Sequence, residues 1–244
     1  MKAKTAKSIL KQVKSHYDEI SEQFSRTRRA AWAEFELYRE LIVPKSRILD
    51  VGCGNGRFYF QGLADLDVNY TGLDLSKLLL SHAEKSRAAL TAAEKRKVKF
   101  VNGTMMKLPF KASSFDTTFC IAAFHHIPGR DNRLKVLAEF RRVTKVDGLV
   151  VISVWNLFQP KYLPLIRASL WRFLKSFGRY DWNDTFFYWD KSKSLRYYHA
   201  FTPFEMRALL RDAGYTILHE FRASTKGVEV PFRQANNLIW ICRV

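Results

Sequence analysis

The chain has 244 residues, 47% of them hydrophobic and 14% aromatic, with 41 basic against 23 acidic side chains. This length and apolar content exclude a disordered chain and predict a single globular domain with a full core. The formal charge of +18 predicts an anionic partner, with nucleic acid the first candidate and an anionic membrane surface the second. Simple solubility is the third explanation of the charge.

The N-terminus and the cysteines give further limits. The first fifteen residues carry five lysines but no apolar run long enough for a signal peptide or a membrane span, so we expect a cytoplasmic protein without a membrane partner. Cys53, Cys120 and Cys242 are far apart in sequence and indicate neither a disulfide framework nor a paired-cysteine metal site. We therefore expect no metal.

Regular elements follow one another along most of the chain. Apolar residues at helical spacing, such as Ile9, Val13 and Tyr17, predict a helical stretch over residues 8–43 that ends at Pro44. Strands and helices then alternate, which is typical of an α/β protein with a parallel sheet. The predicted strands are 47–51, 69–74, 98–101, 115–122 and 149–154, and the predicted helices are 56–64, 76–90 and 130–144.

The alternation stops after Trp155. Residues 156–200 hold 13 of the 35 aromatic residues and predict an inserted cap. A helix over 204–213 and two strands, 215–221 and 237–242, follow, and we expect those strands to pair antiparallel. The predicted single domain thus has a helical lid (1–44), a cofactor-binding core (45–155), a cap (156–200) and a C-terminal helix with a hairpin (201–244).

A glycine-rich loop follows the first predicted strand. The run from Asp50 through Gly52, Cys53 and Gly54 to Gly56 leads from that strand into a helix, an arrangement that binds nucleotide-like cofactors in such sheets. Glycine lets the backbone approach a ligand closely. The spacing differs from the Gly-x-Gly-x-x-Gly of pyrophosphate sites, so it favours a cofactor without phosphate. A tight turn without a ligand is the structural alternative.

An acidic residue ends the second predicted strand. Asp74 lies 18 residues beyond Gly56, where a carboxylate can accept hydrogen bonds from both ribose hydroxyls. With Asp50, it suits the hydroxyls and the ammonium group of S-adenosylmethionine. Asp74 could instead be part of a helix N-terminus, since Ser76 is a typical N-cap residue.

Residues 47–155 resemble the class I S-adenosylmethionine-dependent methyltransferases in the glycine loop, in Asp74, in Leu108-Pro109-Phe110 and in Phe115-Asp116. The resemblance implies a Rossmann-like, mostly parallel seven-stranded sheet with a C-terminal antiparallel hairpin. It also implies S-adenosyl-L-methionine as cofactor, with further contacts from Tyr17, Leu75, Thr104, Met105 and Ala122. Thr104 stands where the family often has an acidic residue facing adenine.

A narrower likeness extends over nearly the whole chain. It is to the tRNA wobble-uridine carboxymethyl methyltransferases, and it is carried by Tyr17-Asp18-Glu19-Ile20, Phe24-Ser25-Arg26-Thr27-Arg28, Trp32, His125-His126, Arg130 to Arg133, Val154-Trp155, Arg196 to Phe201 and Asn236-Asn237. It implies esterification of a carboxymethyl group on a tRNA uridine, and a small activating protein as a possible partner.

The candidate catalytic residues come from that likeness. A carboxylate is ionised at neutral pH and needs no general base, so the protein has mainly to orient it. Arg28, His125 and His126 are the candidates for holding it. Alternatively, Arg28 could pair with the cofactor carboxylate or a helix neighbour, and the histidines could simply end a strand.

Arg196, Tyr197, Tyr198 and His199 are the candidate substrate-binding residues. They would stack on an extruded base or, alternatively, form an aromatic core cluster. The lysines of the N-terminal helix would follow tRNA phosphates or form a solvated face. Two other functions stay open: a small-molecule methyltransferase with an aromatic cap, and a non-catalytic RNA-binding or activating protein that keeps the methyltransferase fold.

Overall fold

A computed structural model describes residues 1–27, 31–188 and 195–244 of the chain. Its centre is a seven-stranded sheet with the strand order β3-β2-β1-β4-β5-β9-β8, and a separate two-stranded sheet pairs β6 with β7. The strands are β1 (Arg47–Val51), β2 (Asn69–Asp74), β3 (Val98–Asn102), β4 (Phe115–Ile121), β5 (Thr144–Trp155), β6 (Asp184–Tyr188), β7 (Leu195–His199), β8 (Thr216–Ala223) and β9 (Asn237–Arg243).

The pairing confirms the predicted α/β fold. Strands β1 to β5 pair in parallel, while β9 runs antiparallel to both β5 and β8. Ile48, Leu49 and Val51 of β1 are fully buried, as expected for a strand covered on both faces by helices. Because β1 lies between β2 and β4, the strand order reverses there, and ligands bind at the carboxyl ends of strands beside such a reversal.

Eight α-helices lie in the described residues. They are α1 (Ala3–Glu19), α2 (Ser21–Thr27), α3 (Glu34–Arg39), α4 (Lys77–Ala88), α5 (Ala92–Lys97), α6 (Arg130–Val143), α7 (Leu163–Lys175) and α8 (Pro203–Asp212).

The N-terminal stretch differs from the continuous helix that its periodicity suggests. One straight helix over 36 residues would be about 54 Å long, longer than a small domain is wide. The chain instead divides into α1, α2 and α3, and the buried Ile20 lies at the turn between the first two. Each short helix then packs separately, with α1 against β7 and α4, α2 against α4, and α3 beside the turn at Tyr59–Leu63.

Local sequence signals account for several helix ends. The Ser76 side chain accepts a hydrogen bond from the Leu79 amide at 3.2 Å and begins α4 as predicted. Helix α5 was not predicted because none of its residues is buried and apolar periodicity is absent, although Thr91 and Glu94 form a capping box. The predicted helix 56–64 contains a π-helical turn at Tyr59–Leu63.

The predicted cap contains α7 and the β6–β7 hairpin. Asp184 pairs with His199 and Tyr188 with Leu195, so the two strands run antiparallel. Helix α7 packs against β6, and α1 packs against β7. Among the described helices, none combines the length and the apolar character needed to cross a bilayer.

Candidate active site

A cavity opens at the carboxyl ends of β1, β2, β4 and β5, beneath α1. It encloses about 1160 Å³ of empty space, including the part open to solvent. Its wall contains the glycine loop, the strand ends and the α1 side chains, and the cap contributes two residues of β7. Predicted site residues in this wall are Tyr17, Asp50, Gly52, Cys53, Gly54, Asp74, Leu75, Thr104, Met105, Ala122, His125, His126, Arg196 and Tyr198.

The glycine loop is held against the neighbouring strand by backbone hydrogen bonds. The amides of Gly52 and Cys53 both donate to the Leu73 carbonyl, at 2.7 and 3.1 Å. Gly52 has φ +81°, and a Cβ there would lie 2.5 Å from the Cβ of Ala123. Glycine is therefore required at this position both for the backbone angle and for the close approach.

Asp74 joins the loop to the start of α4. Its Oδ2 accepts from the Gly54 amide and its Oδ1 from the Ser76 amide, both at 2.8 Å. Burial raises the pKa of Asp74 above its ordinary value, although these backbone donors oppose the shift. Both carboxylate oxygens keep further acceptor capacity toward the cavity.

Asp50 lies at the end of β1, beneath the loop. The Tyr70 hydroxyl donates to its Oδ2 at 2.6 Å, and only 2% of Asp50 is exposed. Burial raises the pKa of Asp50 to about 7, the Asp74 carboxylate adds to the rise, and the Tyr70 hydrogen bond opposes it. Asp50 therefore changes charge near neutral pH, and a bound cation would favour its ionised form.

The two remaining loop residues, Asn55 and Gly56, have different roles. Asn55 lines the cavity, and its buried Oδ1 has no hydrogen-bond partner among the described residues, so it offers an acceptor to a ligand. Gly56, in contrast, is not part of the cavity wall. A Cβ there would lie 2.8 Å from the Phe100 ring and 2.9 Å from the Phe60 ring, so this glycine serves packing behind the loop.

His125 presents a neutral donor to the cavity. The Trp155 amide donates to its Nδ1 at 3.3 Å, which leaves the ring proton on Nε2. That Nε2 has no hydrogen-bond partner among the described residues, and His125 lines the cavity. Burial, with the nearby His126 and the Arg196 cation, lowers the pKa of His125 well below its ordinary value. The ring is therefore an uncharged N–H donor at neutral pH.

His126 is already engaged on both sides. Its Nδ1 lies 2.8 Å from the Tyr197 carbonyl and must carry the proton, so its Nε2 accepts from the Tyr17 hydroxyl at 2.7 Å. Burial and the Arg196 cation lower the pKa of His126 to about 3. Both nitrogens of His126 thus connect the lid to β7, and its role in holding a substrate stays a prediction.

Strand alternation separates the four predicted residues of β7. Arg196 and Tyr198 face the cavity, where Arg196 donates to His16 Nε2 at 2.8 Å and to the Tyr198 hydroxyl at 2.9 Å. Tyr197 and His199 project from the other face of the strand and do not line the cavity. Two of the four residues thus line the cavity, and substrate binding by this run stays a prediction.

Behind the cavity, the outward-facing residues of β7 join a buried ionic network. Asp184 Oδ1 accepts from the Tyr197 hydroxyl at 2.6 Å and lies 2.9 Å from His199 Nδ1. The guanidinium of Arg133, 1% exposed, lies 3.8 Å from Asp184 and 3.4 Å from Glu205. Burial raises the pKa of Asp184, but hydrogen bonds from His199 and Tyr197 outweigh it, and the pKa falls below the ordinary value.

The same network contains a group with metal-ligand geometry. Potential ligand atoms of Asp181, Asp184 and His199 lie within 4.8 Å of one another. The Arg133 guanidinium and the N-terminal ammonium of Met1 already lie against these carboxylates, with Met1 nitrogen 2.9 Å from Asp181. The charges are therefore balanced by the protein itself.

Several wall residues were not predicted. Trp32, Phe35 and Arg57 line the cavity together, and the Arg57 guanidinium lies 4.5 Å from the centre of the Trp32 ring. Trp155 ends β5, and its place in the family likeness and its position at a strand carboxyl end were signals that could have identified it. Arg28, predicted to hold the substrate, lies outside the described residues.

Known proteins share this architecture. A methyltransferase from Methanosarcina mazei superposes with a TM-score of 0.67 at 20% identity, over 85% of this chain and 96% of that one. A family model described as a methyltransferase domain matches residues 49–152. A protein of Encephalitozoon cuniculi, named only as a methyltransferase, is 31% identical over 204 residues, which are 83% of this chain and 86% of the relative. The chain belongs to the class I S-adenosylmethionine-dependent methyltransferases. Its cofactor is S-adenosyl-L-methionine.

Two further proteins are similar to this chain. An Arabidopsis thaliana tRNA (carboxymethyluridine(34)-5-O)-methyltransferase is 33% identical over 140 residues, which are 57% of this chain but only 31% of the relative. A Haloferax volcanii methyltransferase, solved in complex with the Trm112 methyltransferase activator, superposes with a TM-score of 0.63 at 17% identity, over 95% of this chain and 96% of that one.

Proposed function

We propose that this methyltransferase esterifies a carboxylate on a tRNA nucleoside. The observation that carries the proposal is the pairing of an uncharged donor with a buried cation in the cavity wall. His125 offers its Nε2–H, and Arg196 lies beside it on β7. Together they suit an anionic oxygen acceptor, because hydrogen bonds from cationic donors to carboxylates are stronger than those between neutral groups.

The cofactor end of the same cavity suits S-adenosyl-L-methionine. Asp74 would accept from the ribose hydroxyls, Asp50 would favour the cationic end, and the Asn55 Oδ1 is a further acceptor. Leu75, Thr104, Met105 and Ala122 complete that part of the wall. Bound there, the cofactor supplies a methyl group on a sulfonium sulfur.

The protein then has to orient the acceptor rather than activate it. A substrate carboxylate is ionised at neutral pH, so no residue needs to remove a proton. His125 and Arg196 would hold one oxygen and leave the other to form the new carbon–oxygen bond, while the carbon–sulfur bond breaks and its electron pair stays on sulfur. A neutral His125 suits this role because it orients the oxygen without adding a second positive charge to that of Arg196.

The surface above the cavity supports RNA as the carrier of that carboxylate. The inner face of α1 lines the cavity with Leu10 and Tyr17, while Lys4, Lys7 and Lys11 lie exposed along the outer face. Spacings of three and four residues place these lysines in one stripe. The Arabidopsis relative named for a tRNA carboxymethyluridine reaction supports the same substrate class.

The aromatic wall supports a base beside the carboxylate. The Tyr198 ring stacks on Trp155, with centroids 5.2 Å apart, and on Phe187, with centroids 4.7 Å apart. Tyr198 is fully buried by these contacts, whereas Trp155 is half-buried and lines the cavity. Trp155 is therefore the proposed platform for an extruded base, with Tyr198 supporting it from behind.

A transfer assay tests the proposal. The protein is incubated with methyl-labelled S-adenosyl-L-methionine and total tRNA at low salt, with a small-metabolite extract in parallel. We expect label in the tRNA and its release by mild base, as for an ester. His125→Phe should lower transfer with little change in cofactor affinity, and His125→Asn should retain more activity because its amide can replace both hydrogen bonds. Label in the metabolites alone would overturn the tRNA assignment in favour of a small-molecule substrate.

The lysine stripe is tested by its salt dependence. Each phosphate contact that is lost reduces the slope of log affinity against log salt by nearly one. Lys7→Gln with Lys11→Gln should therefore lower the slope for tRNA by roughly two, whereas the control pair Lys85→Gln and Arg96→Gln on α4 and α5 should leave it unchanged. A slope for the Lys7 and Lys11 variant equal to that of the parent would exclude α1 from the RNA interface.

We also propose that a small activating protein assists this methyltransferase. The support is the Haloferax neighbour, solved with its activator. Transfer to tRNA should rise when a homologous activator is co-expressed. Equal activity of the protein prepared with and without the activator would refute the proposal of this partner.

A further inference from the structure

Helix α7 turns apolar side chains toward solvent. Trp171 is 64% exposed, Leu174 60% and Phe177, just beyond the helix end, 90%. Leu163 and Leu170 are also exposed. We call these five residues the α7 ridge. Soluble proteins rarely group large exposed apolar residues in this way without a binding partner.

The spacing shows that the ridge is one continuous surface. Leu163, Leu170 and Leu174 follow one another at intervals of seven and four residues, which places them along a single side of α7, and Phe177 follows three residues later, just beyond the helix end. The opposite side contacts the protein. Ser169 is the one buried residue of α7, and Arg172 donates to the Asp184 carbonyl of β6 at 3.3 Å. The ridge therefore points away from the domain.

The charge around the ridge is of one sign. Residues 161–180 contain five basic side chains and no acidic one, although the chain has 23 acidic residues elsewhere. Lys161, Arg167, Lys175 and Arg179 are exposed. The Lys175 ammonium lies 5.7 Å from the centre of the Trp171 ring, so cation and aromatic surface lie side by side.

We propose that the α7 ridge binds an anionic phospholipid surface. An amphipathic helix with Trp, Leu and Phe on one side and Lys and Arg around them lies in the plane of a membrane interface, with its apolar side among the acyl chains and its cations at the headgroups. The α7 ridge presents bulky apolar side chains, which contacts with phosphates alone would leave exposed to water. This adds a peripheral membrane partner, contrary to the sequence-based expectation.

The ridge is connected to the cavity through the hairpin. Helix α7 packs on β6, β6 pairs with β7, and β7 carries Arg196 and Tyr198 in the cavity wall. The Tyr162 ring, next to α7, stacks on Phe187, which in turn stacks on Tyr198. Only the β6–β7 hairpin therefore separates a surface bound by α7 from the proposed substrate end of the cavity.

Vesicle co-sedimentation of the full chain tests the proposal. Vesicles of phosphatidylcholine containing phosphatidylglycerol should pull the protein down at low salt, and vesicles of phosphatidylcholine alone should bind it far less. Leu174→Gln and Phe177→Gln should each lower the partition coefficient by about tenfold, because each removes apolar area that the membrane would bury. Val146→Gln, an equally exposed apolar residue on β5, is the matched control and should bind like the parent.

Three results would overturn the proposal. The first is no binding of the parent chain to anionic vesicles. The second is unchanged binding of both ridge variants, which would assign the interaction to general positive charge. The third is sedimentation velocity without lipid showing a dimer that either ridge substitution dissociates, which would make the ridge a contact between copies. Cofactor affinity and circular dichroism verify that each variant is folded.

Discussion

Replacing Asp74 with asparagine perturbs the cofactor end of the site at one atom. In the parent, both carboxylate oxygens accept backbone hydrogen bonds at 2.8 Å, one from Gly54 and one from Ser76. An asparagine has only one acceptor oxygen, so its amide N–H₂ must face one of those two N–H donors. The substitution therefore removes an acceptor for the ribose and also loosens the loop that approaches the cofactor.

The expected size of the effect follows from the hydrogen bonds lost. A hydrogen bond to a charged group contributes about 1.5–3 kcal/mol, which corresponds to a roughly 10- to 150-fold weaker cofactor affinity. The substitution should leave the fold intact, because Asp74 lies at the end of β2 and not within it.

Isothermal titration with S-adenosyl-L-methionine measures this effect directly. Asp67→Asn is the matched control, because Asp67 precedes the other end of the same strand and pairs only with Lys97 at the surface among the described residues. The control should bind like the parent. An Asp74→Asn affinity within twofold of the parent would refute the assignment of Asp74 to the ribose.

Three other predictions concern stability. Because burial raises the pKa of Asp50 to about 7, its contribution to stability is present in full below about pH 4 and is lost as pH rises to 7. Asp50→Asn should therefore remove that decline from cofactor-free melting curves, and an unchanged pH profile would contradict the shift. Arg133→Met removes the buried cation beside the buried Asp184 carboxylate and should lower the melting temperature by roughly 6–20 °C, against little change for the surface control Arg130→Met. Gly52→Ala should cost on the order of 1–3 kcal/mol in chemical denaturation and weaken cofactor binding, and parental values would refute the contact with Ala123.

The cofactor half of the site was predictable because its determinants are local. Strands β1 and β2 have the predicted bounds, and Gly52, Gly54 and Asp74 lie together as expected from their spacing. These positions are set by β1, the loop after it and the end of β2, which all lie within one short stretch of the chain. Short-range periodicity and turn chemistry therefore carry enough information.

The proposed substrate half was less predictable because its residues contact partners that are distant in sequence. The run from Arg196 to His199 carries a family likeness, but a strand sends alternate residues to opposite faces, and only the packing of β7 decides which pair meets the cavity. His126 shows the same limitation. Its partners, Tyr17 and the Tyr197 carbonyl, are 109 and 71 residues away, so its engagement on both nitrogens has no local signal.

Those distant contacts also define how the lid is held. The Tyr17 hydroxyl donates to His126 Nε2, and Arg196 donates to the adjacent His16, so these bonds tie α1 to the cavity wall. Both need a neutral histidine, because an imidazolium has no acceptor nitrogen. Burial lowers the pKa of His126 to about 3 and that of His16 to about 4. The contacts of the lid with the wall are thus insensitive to pH near neutrality, and pH dependence of cofactor binding in that range should come from Asp50.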